Sequence, residues 1–235
     1  MLEAVLFDWG DTLMQWAWEP ELLGAGHAAG LAALGRPASP ELTARFRDEL
    51  LPALLDPDRL EEADYRELMR ALLADVDVDL TADELELFLE AEHAAWAPAR
   101  QLASTTHALL ETLRGLWLKL GVVSNAIDPP GLLHRDLDEF GVAARVDTAV
   151  FSSEFGLRKP HPAIFERALA DLGVAGSNAL FVGDSLAADI AGAAGVGMHT
   201  CQALWFRADD GADTVEPDFR AFTQVDVLAA VRRLR

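Results

Sequence analysis

Four short segments of the chain are apolar almost throughout: AVLFD (residues 4–8), KLGVVS (119–124), TAVFSS (148–153) and ALFVGD (179–184). Their hydrophobic residues do not alternate with polar ones, as they would on a strand with one wet face, so each predicts a strand covered on both faces. Around the last three the pattern changes to a helical period. Residues 128–140 (DPPGLLHRDLDEF), 161–173 (HPAIFERALADLG) and 186–195 (LAADIAGAAG) place apolar side chains three and four positions apart. Strands that alternate with helices in this way predict an α/β fold, a doubly wound parallel sheet with helices on both faces.

The stretch from Trp16 to Arg100 follows another pattern. It carries no comparable strand-like run and reads as successive amphipathic helices. Pro37 and Pro57 punctuate it, Ser39-Pro40 predicts a helix cap followed by a proline at the first helical position, and Thr81 with Glu84 fits a reciprocal capping box. The pattern divides the chain into an α/β core, residues 1–15 and 101–235, and an all-helical insertion, residues 16–100. The Leu, Ala and Phe spacing of the insertion is that of ordinary core packing.

Composition narrows the partners. With 235 residues, 51% of them hydrophobic, the chain can bury a sizeable core. Nineteen Lys and Arg against thirty-nine Asp and Glu leave a net charge of -20, which opposes binding to nucleic acid or anionic lipid. An anionic small substrate is still compatible with that charge where a metal or a cluster of cations inverts the local field. Cys201 is the only cysteine, so an internal disulfide and a cysteine-based zinc site are both excluded. The N-terminal segment lacks a basic region and a small-residue cleavage site, and no apolar run reaches the roughly 18 residues of a membrane span. These features predict a cytoplasmic protein, monomer or homodimer, with no nucleic-acid and no membrane partner.

Ligands of open α/β sheets bind outside the carboxyl ends of the strands, and three of the predicted strands end there in a polar residue: Asp8, Ser124 and Asp184. One aspartate at a strand end is commonly just a turn former. Two carboxylates brought together repel, and one protonates unless a cation neutralises them. Such hard oxygen ligands suit Mg²⁺, which shares its shell readily with a substrate phosphate. Lys159 lies in GLRKPHP, a loop braced by two prolines. Beside Asp8 and a phosphate it would act as a point cation rather than a solvated surface lysine.

DWGDT (8–12), VVSNA (122–126), GLRKP (156–160) and GDSLAAD (183–189) together resemble, in order, the four motifs of the haloacid dehalogenase superfamily. Each motif is weak alone, and the set at these spacings is specific. The helical insertion resembles that family's cap domain of the first type, which closes over the site. The resemblance implies a Mg²⁺-dependent phosphatase acting on a small phosphate ester, with Asp8 as the nucleophile that forms an aspartyl-phosphate. It implies that Ser124 and Asn125 bond the transferring phosphoryl group and that Lys159 steadies both the phosphate and Asp8. Asp8, Asp184 and the carbonyl of Gly10 would hold the metal, Asp189 would support it, and Thr12 would brace the first loop at the substrate.

The chain departs from the family pattern in one place. Family phosphatases carry a second aspartate, a general acid, two positions after the nucleophile, where this chain has Gly10. Asp11 either stands in for that acid or makes a loop hydrogen bond to a backbone N–H. The missing acid leaves other readings open. A metal-independent 2-haloacid dehalogenase also lacks the acid, yet resembles DxYGT and places an arginine soon after its nucleophile, whereas the first arginine here is Arg36. A phosphomutase leans on the absent aspartate, and a non-catalytic phosphate-binding or scaffold protein would not need it. Trp16, Trp18 and His161 flank the motifs; packing explains the tryptophans, and a helix cap explains the histidine.

Overall fold

The computed structural model describes residues 1–56, 58–207 and 215–235; Pro57, one of the two prolines expected to punctuate the insertion, lies outside them. The chain starts with β1 (Ala4–Phe7) and β2 (Met14–Trp16), and five helices follow: α1 (Pro20–Ala33), α2 (Pro40–Arg45), α3 (Leu51–Leu54), α4 (Tyr65–Ala74) and α5 (Ala82–Ala95). After β3 (Arg100–Leu102), helices and strands alternate: α6 (Thr106–Gly115), β4 (Lys119–Ser124), α7 (Pro130–Glu139), β5 (Thr148–Phe151), α8 (Ser152–Phe155), α9 (Pro162–Leu172), β6 (Ala179–Gly183), α10 (Ala191–Gly195) and β7 (His199–Ala203). β8 (Phe219–Ala221) and α11 (Gln224–Leu234) close it. Among the described residues no helix is long and apolar enough to cross a membrane.

Six strands form one sheet in the order β5-β4-β1-β6-β7-β8, with every neighbouring pair parallel. β1 is central: Ala4 pairs with Lys119 on one side and Ala179 on the other. Successive side chains of a strand face opposite ways. Val5 and Phe7 accordingly join the hydrophobic layer that includes Leu109, Leu133 and Val227, while Ala4 and Leu6 join the layer of Ile164, Phe165 and Ala168. Both faces of β1 are therefore dry, which is why its sequence shows no alternation.

Residues 20–95 contribute only helices among their regular elements and bury a separate hydrophobic cluster that includes Leu31, Phe88 and Leu89. The expected caps form: Ser39 Oγ accepts from the Leu42 N–H at 3.2 Å, and Thr81 with Glu84 closes the capping box. Gly30 of α1 lets α5 approach, since a Cβ there would meet the Phe88 ring at 2.6 Å. Between α2 and α3 the helical turns widen to a π turn over Phe46–Leu50, which keeps Phe46 buried against the cluster.

Three expectations change. Strand pairing at residues 148–153 stops at Phe151, because Ser152 begins the short helix α8, where its hydroxyl accepts from Ala126 N and donates to Glu62. The insertion is not purely helical at its margins, for β2 and β3 pair antiparallel with Trp16 opposite Arg100. β7 and β8 extend the sheet although HTCQA and FRA do not read as apolar runs; Asp218 helps hold this edge by accepting from the Thr200 N–H at 2.9 Å.

Candidate active site

The loop after β1 begins with Asp8, whose N–H donates to Val182 O of β6 at 2.9 Å, so the sheet itself aims this residue at the strand ends. Lys159, buried, reaches the same point from the segment before α9. Its ammonium lies 2.7 Å from Asp8 Oδ1 and 2.6 Å from Asp189 Oδ1. Asp184, just past β6, completes a group of three carboxylates with ligand oxygens all within 4.8 Å of one another. Asp189 is held from its other side by the Ser185 N–H at 3.0 Å. Gly183 makes this possible, since a Cβ there would run into the Asp189 carboxylate.

The charges of this cluster do not balance. Burial, followed by the charges of Asp189 and Asp8, pushes the Asp184 carboxyl up to about 8. Burial, against the pull of Lys159, pushes Asp189 up to about 6. Burial also works to lower the Lys159 ammonium, but Asp189 and Asp8 prevail and hold it above its ordinary value. Closely spaced carboxylates that are costly to ionise, with one buried ammonium among them, form a hard-oxygen site short of positive charge. This donor set fits Mg²⁺.

The other residues named from the motifs occupy distinct places. Ser124 ends β4, is buried and lines the cavity above Asp8 together with Asn125, Gly10 and Asp11. Asn125 makes two hydrogen bonds with the Lys159 backbone, donating to its carbonyl at 3.0 Å and accepting from its N–H at 2.7 Å. Thr12 is fully buried beneath the loop and outside the cavity lining; it braces the loop through its carbonyl, which accepts from Trp205 Nε1 at 2.9 Å. His161 caps α9, its Nδ1 accepting from Ala163 N.

Asp11 has a φ of 53°, a left-handed conformation that aspartate tolerates better than most residues. Its Oδ1 accepts from the Trp16 N–H at 3.0 Å, and Oδ2 faces Arg207 at 3.8 Å. Burial raises its carboxyl, while the Trp16 bond and the Arg207 charge work the other way. Arg207 also lies 3.1 Å from Asp184 Oδ2. No motif marks Arg207 in the sequence, because it reaches the site from a loop after β7.

A second polar group at the far side of the cavity was equally hidden. His93 of α5 stands between Asp128, 2.8 Å from Nδ1, and Asp136 of α7, 3.1 Å from Nε2. Arg100 donates to the His93 carbonyl at 3.0 Å and pairs with Asp136 at 3.4 Å. Burial acts to lower the imidazole, but the two aspartates outweigh it and raise its pKa. This knot ties the helical segment to the sheet domain, and its members are too far apart in sequence for any spacing to reveal it.

A family model for haloacid dehalogenase-like hydrolases matches residues 2–197, and the chain belongs to that family of enzymes. It is 28% identical to the glyceraldehyde 3-phosphate phosphatase of Methanopyrus kandleri, over 100% of this chain and 99% of that one. Among solved structures it resembles a HAD phosphatase from Thermococcus onnurineus, with TM-score 0.67, 26% identity and 98% of each chain covered. It resembles as well a 2-haloacid dehalogenase from Pseudomonas syringae pv. Tomato, with TM-score 0.69, 27% identity and 100% of each chain covered.

Proposed function

We propose that the protein is a Mg²⁺-dependent phosphatase that hydrolyses a phosphate monoester through an aspartyl-phosphate on Asp8, with residues 16–100 acting as its cap domain. The observation that carries this reading is the buried Lys159 ammonium bridging Asp8 and Asp189, with Asp184 in the same cluster. A Mg²⁺ ion held by Asp8, Asp184 and the Gly10 carbonyl, and supported by Asp189, would neutralise these carboxylates and the incoming phosphate.

The chain's own groups perform the transfer. An Asp8 carboxylate oxygen attacks phosphorus, forming the acyl-phosphate bond as the bond to the leaving oxygen breaks; that oxygen departs with the electron pair and takes a proton from water to become the alcohol. Lys159 supplies positive charge where the phosphate dianion meets the carboxylate, and Asn125 fixes the backbone that presents it. The Ser124 hydroxyl donates to the transferring phosphoryl group. Water then attacks the phosphorus of the acyl-phosphate, giving up a proton to solvent as the bond between Asp8 and phosphorus breaks, which releases inorganic phosphate and restores the Asp8 carboxylate. Asp11, bonded to the Trp16 N–H, shapes the loop.

Phosphate release from aryl and acyl phosphates with Mg²⁺ tests the reading. EDTA should abolish it, and Asp8→Asn should lower it by several orders of magnitude while the fold persists. Release undiminished in chelator, or by the Asp8→Asn protein, overturns the metal or the nucleophile assignment respectively. The likeness to a dehalogenase, together with Gly10, favours a second reading that chloride release from chloroacetate without Mg²⁺ would establish.

A further inference from the structure

The cavity above Asp8 measures about 560 Å³, within the range of about 300–1,000 Å³ that accepts drug-sized ligands. One part of its wall is aromatic and aliphatic. Trp16 and Trp18 are half-buried and stack with ring centroids 5.6 Å apart and planes 13° from parallel, and Trp96 meets Trp18 edge-on at 5.7 Å. Leu23, Phe46 and Leu54 complete this wall.

The polar groups of the same cavity are already committed to one another. Among the described lining residues, Arg100 pairs with Asp136, Arg158 with Glu62 at 3.6 Å, Arg207 with Asp184, Lys159 with Asp8 and Asp189, and His93 with its two aspartates. Arg158 also donates to the Leu54 carbonyl at 2.8 Å. The carboxylates lining the cavity outnumber its cations. A second anionic group on the substrate would therefore meet a negative field and no uncommitted cation, whereas an apolar ring would meet the tryptophans that line the cavity.

From this wall and this charge pattern we infer that the substrate is the phosphate ester of an uncharged alcohol bearing an aromatic group, which stacks on Trp16 and Trp18 while its phosphate sits at Asp8. The inference rests on the phosphatase reading and names the substrate class of that site. The transfer follows the same course: the phosphorus bonds Asp8 as its bond to the aromatic alcohol's oxygen breaks, and that oxygen keeps the electron pair and takes a proton from water as the alcohol leaves.

The test compares 2-phenylethyl phosphate with glycerol 3-phosphate, two esters of uncharged primary alcohols with similar leaving oxygens, one carrying an aromatic ring and the other two hydroxyls. Burying the ring should give 2-phenylethyl phosphate at least about a tenfold higher kcat/KM. Trp18→Ala should cut that preference by about tenfold, and Trp18→Phe should keep most of it. Equal kcat/KM values with phosphate still released overturn the inference and leave the phosphatase reading standing, as does a preference untouched by Trp18→Ala. No release from either ester or from acetyl phosphate overturns the phosphatase reading instead. The pocket is then decided by calorimetry on the Asp8→Asn protein: about tenfold tighter binding of 2-phenylethyl phosphate than of glycerol 3-phosphate supports it, and equal binding overturns it.

Discussion

Lys159 stands 2.7 Å from Asp8 although the two are 151 positions apart in the chain, and the same ammonium touches Asp189 at 2.6 Å. One buried cation thus holds two loops of the sheet domain against their mutual repulsion. Removing one partner of such a buried arrangement typically costs about 3–5 kcal/mol. Lys159→Ala should destabilise the metal-free protein on that scale in urea titrations and lower kcat/KM by about 10² or more. Arg158→Ala, which removes a contact in the cavity wall, should cost less in kcat/KM. Equal, small losses from the two variants would show that Lys159 does not serve the reacting phosphate.

On the phosphatase reading, a Mg²⁺ at the three carboxylates that lie within 4.8 Å of one another would bind the folded state alone. At a concentration about 100-fold above its Kd, Mg²⁺ should raise the Tm by roughly 5–10 °C. Asp184→Asn should remove most of that shift while raising the Tm of the metal-free protein, because it replaces a carboxyl that burial and the charges of Asp189 and Asp8 make costly to ionise. A thermal shift unchanged in Asp184→Asn would place the ion elsewhere.

Beyond the two adjoining residues, nothing described lies within 4 Å of the position a Cβ would take on Gly10. The loop therefore has room for Gly10→Asp, and a positioned acid is worth about 10²- to 10⁴-fold when the leaving oxygen is basic. Gly10→Asp should raise turnover of alkyl phosphates toward that range and leave aryl phosphates nearly unchanged. Asp11→Asn, which keeps an oxygen for the Trp16 N–H, should affect both classes alike if Asp11 only shapes the loop. A selective loss on alkyl esters would make Asp11 the acid.

His93 gives stability a pH dependence of definite sign. Its pKa is raised in the folded protein by Asp128 and Asp136, which overcome burial, with Arg100 opposing them. Below about 6.5, the ordinary histidine value, the imidazolium is present in folded and unfolded chains alike and its pairing contributes in full. As pH rises past that value the unfolded chain releases its proton first, and the contribution is lost through the higher folded value. Urea midpoints should fall from pH 6 toward pH 9, and His93→Gln should flatten this decline. An unchanged slope in His93→Gln would assign the decline to other groups.

The sequence announced what depends on local pattern. β1, β4, β5 and β6 are legible because both their faces are dry, and Asp8, Ser124 and Asp184 follow from where those strands stop. β2 and β3 are three residues each, too short to impose a period, and β7, although buried over its last four residues, carries the polar His199, Thr200 and Gln202. Arg207 and the His93, Asp128, Asp136 and Arg100 knot were invisible for another reason. Their meaning lies in contacts that the fold creates, and no spacing in the chain encodes those contacts. The aromatic wall fell between these cases: Trp16 and Trp18 stood out as residues, but only the cavity shows which side of them is open.

The β2–β3 ribbon sets Trp16 opposite Arg100, so one three-residue pairing carries both a member of the stacked wall and a member of the ion knot. In an antiparallel pair, a slip of one residue turns every side chain to the other face. Such a slip of β2 would swing Trp16 out of the cavity, and the same slip of β3 would withdraw Arg100 from Asp136, either one breaking the single pairing that the two share. The shape of the pocket and the tie between the two parts of the molecule therefore share one mechanical element, and a lesion in that element would present as a loss of selectivity and of rigidity together.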